Sequence, residues 1–303
     1  MRINKAPNIH VSLESLIQLR HHARNLSFSN YKRVHSELLG DHFSRLRGRG
    51  IDFDEVRIYT PGDDIRHMDW RVTARTGKPH TKLYCEERER PVYLLLDYNP
   101  SMYFGTRVTF KSTIASEAAA LLGWAAIQQG NRLGAMLFSD GQHIELRPKS
   151  RLHGILPLLK NISAFSKPKS CSESPHGMMH ALSRLSHVTK PGSLIFILSD
   201  FFNCGQDMEY SLRRLSEHNT VIACAISDPL EINPPPPNFY AVTDGKEIFT
   251  FDSSSNSFRK NYQKQFNDRR SELQTLLKKQ RIPLIEMQTD QSVVKTLQKH
   301  LRN

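Results

Sequence analysis

Two wholly apolar runs constrain this chain more than any other feature. Val92-Tyr93-Leu94-Leu95-Leu96 and Leu194-Ile195-Phe196-Ile197-Leu198 show none of the alternation of a half-exposed strand. Continuous runs of this kind belong to strands buried on both faces, which occur in parallel sheets covered by helices. Each run delivers a carboxylate to its end, Asp97 in the first case and Asp200 in the second. Ligands of open parallel sheets collect beyond the carboxyl ends of the strands, so the two acids are candidates to converge on one ion. Asn99 and Ser101 follow the first run and add two small oxygen-bearing side chains. Mg2+ takes hard oxygen ligands at about 2.0–2.1 Å and retains several waters, so one or two carboxylates plus such groups suffice. The expected site is Mg2+ (or Mn2+) held by Asp97, Asn99, Ser101 and Asp200. Taken singly, each Asp reads first as a cap for the helix or turn that follows it; taken together, their symmetry favours the ion.

The alternation between and after the two runs predicts a three-layer, doubly wound α/β fold with a mostly parallel sheet. Strands are expected at 92–96, 133–138, 194–198, 220–226 and 284–287, with a hairpin partner at 143–147. Helices are expected at 110–129, 152–162, 178–187, 206–217, 257–279 and 291–301. Pro234-Pro-Pro-Pro237 and two short β-like runs joined by Asp244-Gly245 read as a hairpin insertion at about 234–256. Ahead of the sheet, residues 1–43 read as a helical segment, with Ser12 capping a helix that carries Leu13, Leu16, Ile17 and Leu19, and a second, polar helix at 29–39. Residues 44–90, broken at Gly48, Gly50, Pro61-Gly62 and Gly77-Lys-Pro79, read as a β-rich appendage. The α/β domain then runs from 91 to 303.

At these residues the chain resembles known families. Asp97-Tyr-Asn99-Pro-Ser101 resembles the metal-ion-dependent adhesion site of von Willebrand factor A domains, written DxSxS, and Asp200 matches the distal aspartate of that site. Asn99 stands where the usual pattern has serine. The loop threonine of such domains is not evident in Ser170-Cys-Ser172-Glu173-Ser174-Pro-His176-Gly177. The stretch from Gly48 through Gly62-Asp63-Asp64-Ile-Arg66-His-Met-Asp69-Trp70 to Glu86-Glu87-Arg88-Glu89-Arg90 looks like the signature of the bacterial family of unknown function numbered 58, a likeness that extends to about Ser227. The resemblance implies a von Willebrand factor A-like fold and a MoxR-type AAA+ ATPase partner, with other von Willebrand factor A proteins as further partners.

Glu55, Arg57, Asp63, Asp64, Arg66 and Asp69, with Trp70, form the densest ionisable cluster. One reading is a two-metal phosphodiesterase centred on Asp63, Asp64 and Asp69. The other is turn chemistry, in which Asp side chains bond the backbone and Arg neutralises a neighbour, giving a rigid network or a partner-binding motif anchored by Tyr59 and Trp70. GxSxG, GxxxxGK[ST], GxGxxG and HExxH are all absent, which leaves acyl transfer, nucleotide hydrolysis and zinc catalysis without a handle.

Net charge is +12, which raises the alternative of a nucleic-acid-binding protein. The excess is confined to the ends, +6 over residues 1–50 and +7 over 257–303, and the expected site lies in a middle near neutrality. Cys85, Cys171, Cys204 and Cys224 show no paired spacing and read as reduced thiols. No stretch approaches a membrane span and the N-terminus lacks an apolar signal core, so the expected location is the bacterial cytoplasm. The expected function is a non-enzymatic, Mg2+-dependent protein-binding module, an adaptor or co-chaperone of the ATPase in complex assembly or maturation.

Overall fold

A computed structural model describes residues 11–28, 52–61, 63–85, 90–139, 142–167, 177–202, 206–243 and 248–301. The chain forms two compact units, residues 29–89 and the remainder. The polar helix expected at 29–39, the loop at 168–176 with Ser174 and His176, and Cys171 and Cys204 lie outside the described residues, as do the side chains of Glu55 and Cys85.

Helix α1 (Leu13–Gln18) begins where Ser12 accepts the Ser15 backbone N–H at 3.1 Å, as its sequence predicts. The described part of this N-terminal segment groups with the larger unit. Leu16, Ala23, Leu26 and Phe28 are all buried, with Leu16 at 0% exposure. Each large apolar side chain so covered contributes about 1.5–3 kcal/mol, enough to seat the segment on the main sheet's helical layer. Trp124 Nε1 donates to the Leu16 carbonyl at 3.0 Å, and the Phe28 and Phe196 rings lie 5.5 Å apart.

In the smaller unit, β1 (Asp52–Ile58) and β2 (His80–Cys85) pair antiparallel, with a bulge between Phe53 and Glu55. Between them stands a helix that the strand-and-turn reading did not include, α2 (Trp70–Thr76). Its signals are local: Asp69 accepts the Arg71 and Val72 N–H groups at 3.0 and 3.1 Å, and Gly77 ends the helix at φ 70°, a conformation only glycine adopts cheaply.

The larger unit contains β3 (Pro91–Asp97), α3 (Lys111–Gln128), β4 (Arg132–Ser139), β5 (Gln142–Lys149), α4 (Leu152–Phe165), α5 (Gly177–Val188), β6 (Leu194–Ser199), α6 (Gln206–His218), β7 (Thr220–Ser227), α7 (Pro229–Ile232), β8 (Phe239–Thr243), β9 (Ile248–Asp252), α8 (Asn256–Lys279), β10 (Leu284–Gln288) and α9 (Val293–His300). Six strands form one sheet in the order β10-β7-β6-β3-β4-β5, parallel except for β5. This is the three-layer, mostly parallel α/β fold expected from the apolar runs. Helix α3 is buried almost throughout, from Lys111 to Ala126, because the sheet lies on one side and the N-terminal segment, α4 and α9 cover the rest. The opposite face of the sheet presents Tyr93, Leu95, Ile195 and Ile197 to a core that includes Leu182 of α5 and Leu212 of α6. β8 and β9 form the hairpin expected after the proline run. No helix among the described residues is long and apolar enough to cross a membrane.

Candidate functional site

The sheet changes direction at β3, whose neighbours are β4 on one side and β6 on the other. Loops leaving β3 and β6 therefore diverge, and the carboxyl ends of these strands border the crevice where open α/β sheets place ligands. Asp97 and Asp200 both sit there. Asp97 is 3% exposed; its Oδ1 accepts the Asn99 backbone N–H at 2.9 Å and its Oδ2 accepts the Ser199 hydroxyl at 2.6 Å. Burial, reinforced by the negative charge of Asp200, pushes the Asp97 carboxyl up to about 7, against the lowering effect of the Ser199 hydrogen bond. The chain turns sharply after Asp200, with Phe201 at φ 51°, a left-handed conformation that costs a non-glycine residue energy and clusters at functional sites.

A residue that sequence reasoning passed over organises this end of the sheet. Lys111, the first residue of α3, is 1% exposed and its Nζ donates to Asp200 Oδ2 at 2.7 Å and to Glu231 Oε1 at 2.6 Å. Burial alone would depress the Lys111 pKa; Asp200 and Glu231 reverse this and hold it above the ordinary value. Glu231 is placed by α7, whose Asp228-Pro229-x-Glu231 start forms a capping box: Asp228 N–H donates to Glu231 Oε2 at 2.8 Å, and Leu230 N–H donates to Asp228 Oδ1 at 2.9 Å. Asp228 is wholly buried and also accepts from Thr106 and Thr289, tying the loop before α3 to the end of β10. Burial would raise its pKa, and these hydrogen bonds outweigh that and lower it. The loop can make its turn because Gly105 is a glycine: a Cβ there would meet the Thr109 carbonyl oxygen at 2.0 Å.

Signals for these residues were present in the sequence. A lysine opening an otherwise apolar helix is disfavoured by the helix dipole unless an acid holds it. Asp-Pro-x-Glu is a helix-start pattern in its own right.

The four carboxylate oxygens of Asp97 and Asp200 each accept one hydrogen bond, from Asn99 N–H, Ser199 Oγ, Phe202 N–H and Lys111 Nζ. A Mg2+ ion shared by both acids would stand against the Lys111 ammonium on Asp200, with like charges in a dry environment where repulsion is large. The arrangement does not fit a dication between the two acids. Among the described residues, no group of three or more His, Cys, Asp or Glu side chains is placed to hold a metal. Among the described residues, Asn99 Oδ1 is buried without a hydrogen-bond partner, and so is Ser112 Oγ on the first turn of α3. Ser101 is half-buried. Next to Asp200 and Glu231 opens a pocket of about 250 Å³, lined by Phe202, Tyr262, Phe266 and Arg269 among others. Phe202 is 50% exposed, and the Arg269 guanidinium lies 4.8 Å from its ring centre.

In the smaller unit the ionisable cluster is divided among separate local tasks. Arg57 Nη2 bonds Asp63 Oδ1 at 2.6 Å, and Asp63 also accepts the Thr60 N–H, which lowers its pKa. Asp64 accepts the Arg66 N–H at 3.0 Å, and Asp69 caps α2, where the Val72 N–H and Lys82 lower its pKa. Trp70, at the first position of α2, is 67% exposed. Tyr59 is half-buried and Arg66 exposed. Of the two basic ends, residues 29–50 lie outside the described residues, while α8 places Arg270 on Glu286 at 2.6 Å and Lys279 on Glu209 at 2.5 Å.

Residues 55–272 match the family described as protein of unknown function DUF58. Uncharacterised proteins of Mycobacterium bovis and Mycobacterium tuberculosis are 29% identical over 212 residues, a match that spans 70% of this chain and 66% of theirs. Solved structures similar to this chain include the conserved hypothetical protein BatB from Bacteroides thetaiotaomicron, at 14% identity and TM-score 0.45 over 69% of this chain and 96% of that one. Another is a von Willebrand factor type A protein from Catenulispora acidiphila, at 11% identity and TM-score 0.33 over 49% of this chain and 35% of that one. The chain belongs to the DUF58 family.

Proposed function

We propose that this DUF58 member is a protein-binding module and not an enzyme, serving as an adaptor or co-chaperone of a MoxR-type AAA+ ATPase in the assembly or maturation of protein complexes. The observation that carries the reading is the mutual engagement of the charged groups at the carboxyl edge of the sheet. Ser199 donates to Asp97 and Lys111 bridges Asp200 and Glu231, a fixed polar cluster that borders a pocket with exposed Phe202 at its rim. A rigid polar centre beside an exposed aromatic is the make-up of a recognition surface, where aromatic and Arg groups supply most of the binding energy. Trp70, exposed in the smaller unit, is a second anchor of the same chemistry. The resemblance drawn from Gly62 to Trp70 supplies the ATPase as the partner.

Immobilised MoxR-type ATPase from the same genome should capture the purified chain, and Phe202→Ser or Trp70→Ser should weaken the capture by about tenfold or more, the cost of one interface anchor. Failure of capture with and without ATP would remove the adaptor reading. Turnover of a generic phosphodiester that vanishes in Asp64→Ala would replace it with the hydrolytic one.

A further inference from the structure

Resting on that reading of the site, we propose that Lys111 is its resident cation, standing where a von Willebrand factor A-type site would carry a divalent ion, so that the site recognises its partner without metal. The ammonium is tethered by a buried stem and reaches two carboxylates at 2.7 and 2.6 Å. Its surroundings are those of a cation site: two anionic oxygens, the Phe104 ring 5.9 Å away, and 1% exposure of the side chain. The loop that presents it is fixed from three directions. The Lys111 N–H donates to the Phe104 carbonyl at 2.9 Å, Thr106 is bonded to Asp228, and Gly105 permits the close return of the chain on Thr109. Such a charge is delivered by folding and needs no ion from solution.

A consequence for the partner follows from charge. At a dication, an incoming carboxylate can displace water; without one, the same carboxylate meets Asp97 and Asp200 as like charges. The group that completes this site from outside is therefore a hydrogen-bond donor, an ammonium, guanidinium or backbone N–H. Among the described residues Asn99 Oδ1 is buried without a hydrogen-bond partner, an acceptor that such a donor would satisfy on entering the site.

The test compares melting of the full chain in about 5 mM Mg2+, in Mn2+ and in EDTA, with titration calorimetry of Mn2+ alone; a native-state ligand at about ten times its dissociation constant raises the melting point by roughly 2–4 °C. The parent chain should melt identically in all three and show no Mn2+ binding. A folded Lys111→Ala chain should gain Mn2+ binding that Asp200→Asn removes. Stabilisation of the parent by either metal, abolished by Asp97→Ala, overturns the inference, as does a folded Lys111→Ala chain that binds no Mn2+. Where that variant does not fold, the parent's response decides. Capture by the ATPase that persists in EDTA and weakens at least tenfold in Asn99→Ala agrees with the inference; capture that requires Mg2+ overturns it while leaving the protein-binding reading intact. Absence of capture with the parent inert to metal overturns only the adaptor reading.

Discussion

Replacing Lys111 by Met removes the charge and keeps most of the stem. Two ion pairs at 2.7 and 2.6 Å are lost. At an effective dielectric near 20 each pair is worth about 6 kcal/mol of Coulomb attraction, most of it cancelled by several kcal/mol of desolvation per ion. What remains in the variant is asymmetric. Glu231, with its side chain 24% exposed, can turn toward water, whereas Asp200 at 5% cannot. Leaving one such charge buried and unpaired costs about 3–5 kcal/mol, or roughly 6–20 °C in melting temperature for a unit of this size. Scanning calorimetry of the parent, Lys111→Met and the triple variant Lys111→Met, Asp200→Asn, Glu231→Gln separates charge from packing. The triple variant should recover to within about 1.5 kcal/mol of the parent, since neutral isosteres of a buried ion cluster are often tolerated. A single variant within about 1 kcal/mol of the parent would refute the reasoning, because it would mean that the ammonium does not neutralise Asp200. A triple variant as unstable as the single one would show that the stem matters and the charge does not.

Ser199→Ala removes the hydroxyl donated to Asp97 Oδ2 at 2.6 Å and should cost about 1–3 kcal/mol in urea titration; a loss below about 0.5 kcal/mol would count against the bond. Because the folded pKa of Asp97 lies above its unfolded value, at about 7 against 3.8, the folded state binds the proton more tightly. The parent should then gain stability relative to Asp97→Asn as pH falls from 7 toward 4, the gain being complete below the unfolded pKa. Parallel melting curves of the two proteins between pH 8 and 5 would contradict this shift. Gly105→Ala meets the Thr109 carbonyl oxygen at 2.0 Å, whereas Gly77→Ala meets nothing within 4 Å and bears only the strain of φ 70°. The first should lower the melting point by several degrees more than the second, which costs about 1 kcal/mol, and equal effects would disprove the packing of the loop.

The architecture was legible because burial on both faces leaves a mark in the sequence. Strands β3 and β6 read as unbroken apolar runs, and β10 was legible as a late edge strand after α8. The hairpin at β8 and β9 announced itself through Pro234–Pro237 and Asp244-Gly245. Two elements were less legible. The N-terminal segment, read only as a helical piece ahead of the sheet, groups with the larger unit and buries Leu16 and Phe28 at 0% and 1% exposure; periodicity marks the helix and not the surface it closes on. Helix α2 was missed because the density of turn residues around Pro61-Gly62 and Gly77 drew the reading toward strands. The Asp69 cap and the terminal Gly77 were themselves a complete helix signature.

The site shows where reading from residue types stops. Two acids at the ends of adjacent buried strands demand a positive charge, and the sequence states that demand without naming what meets it. A magnesium ion and a lysine ammonium both answer it, and their traces differ: the ion leaves oxygen ligands close in the chain, whereas the lysine arrives from a helix start that only the closed fold brings within 2.7 Å of Asp200. Lys111 opens a helix buried from its first residue to Ala126, at the end of the dipole that repels cations. A charge placed against both hydrophobicity and the dipole is stable only if fixed anions outweigh them. Asp200 and Glu231 supply that excess, which is why α7, a four-residue helix with a capping box, belongs to the site: it holds the second anion that makes burying the lysine possible.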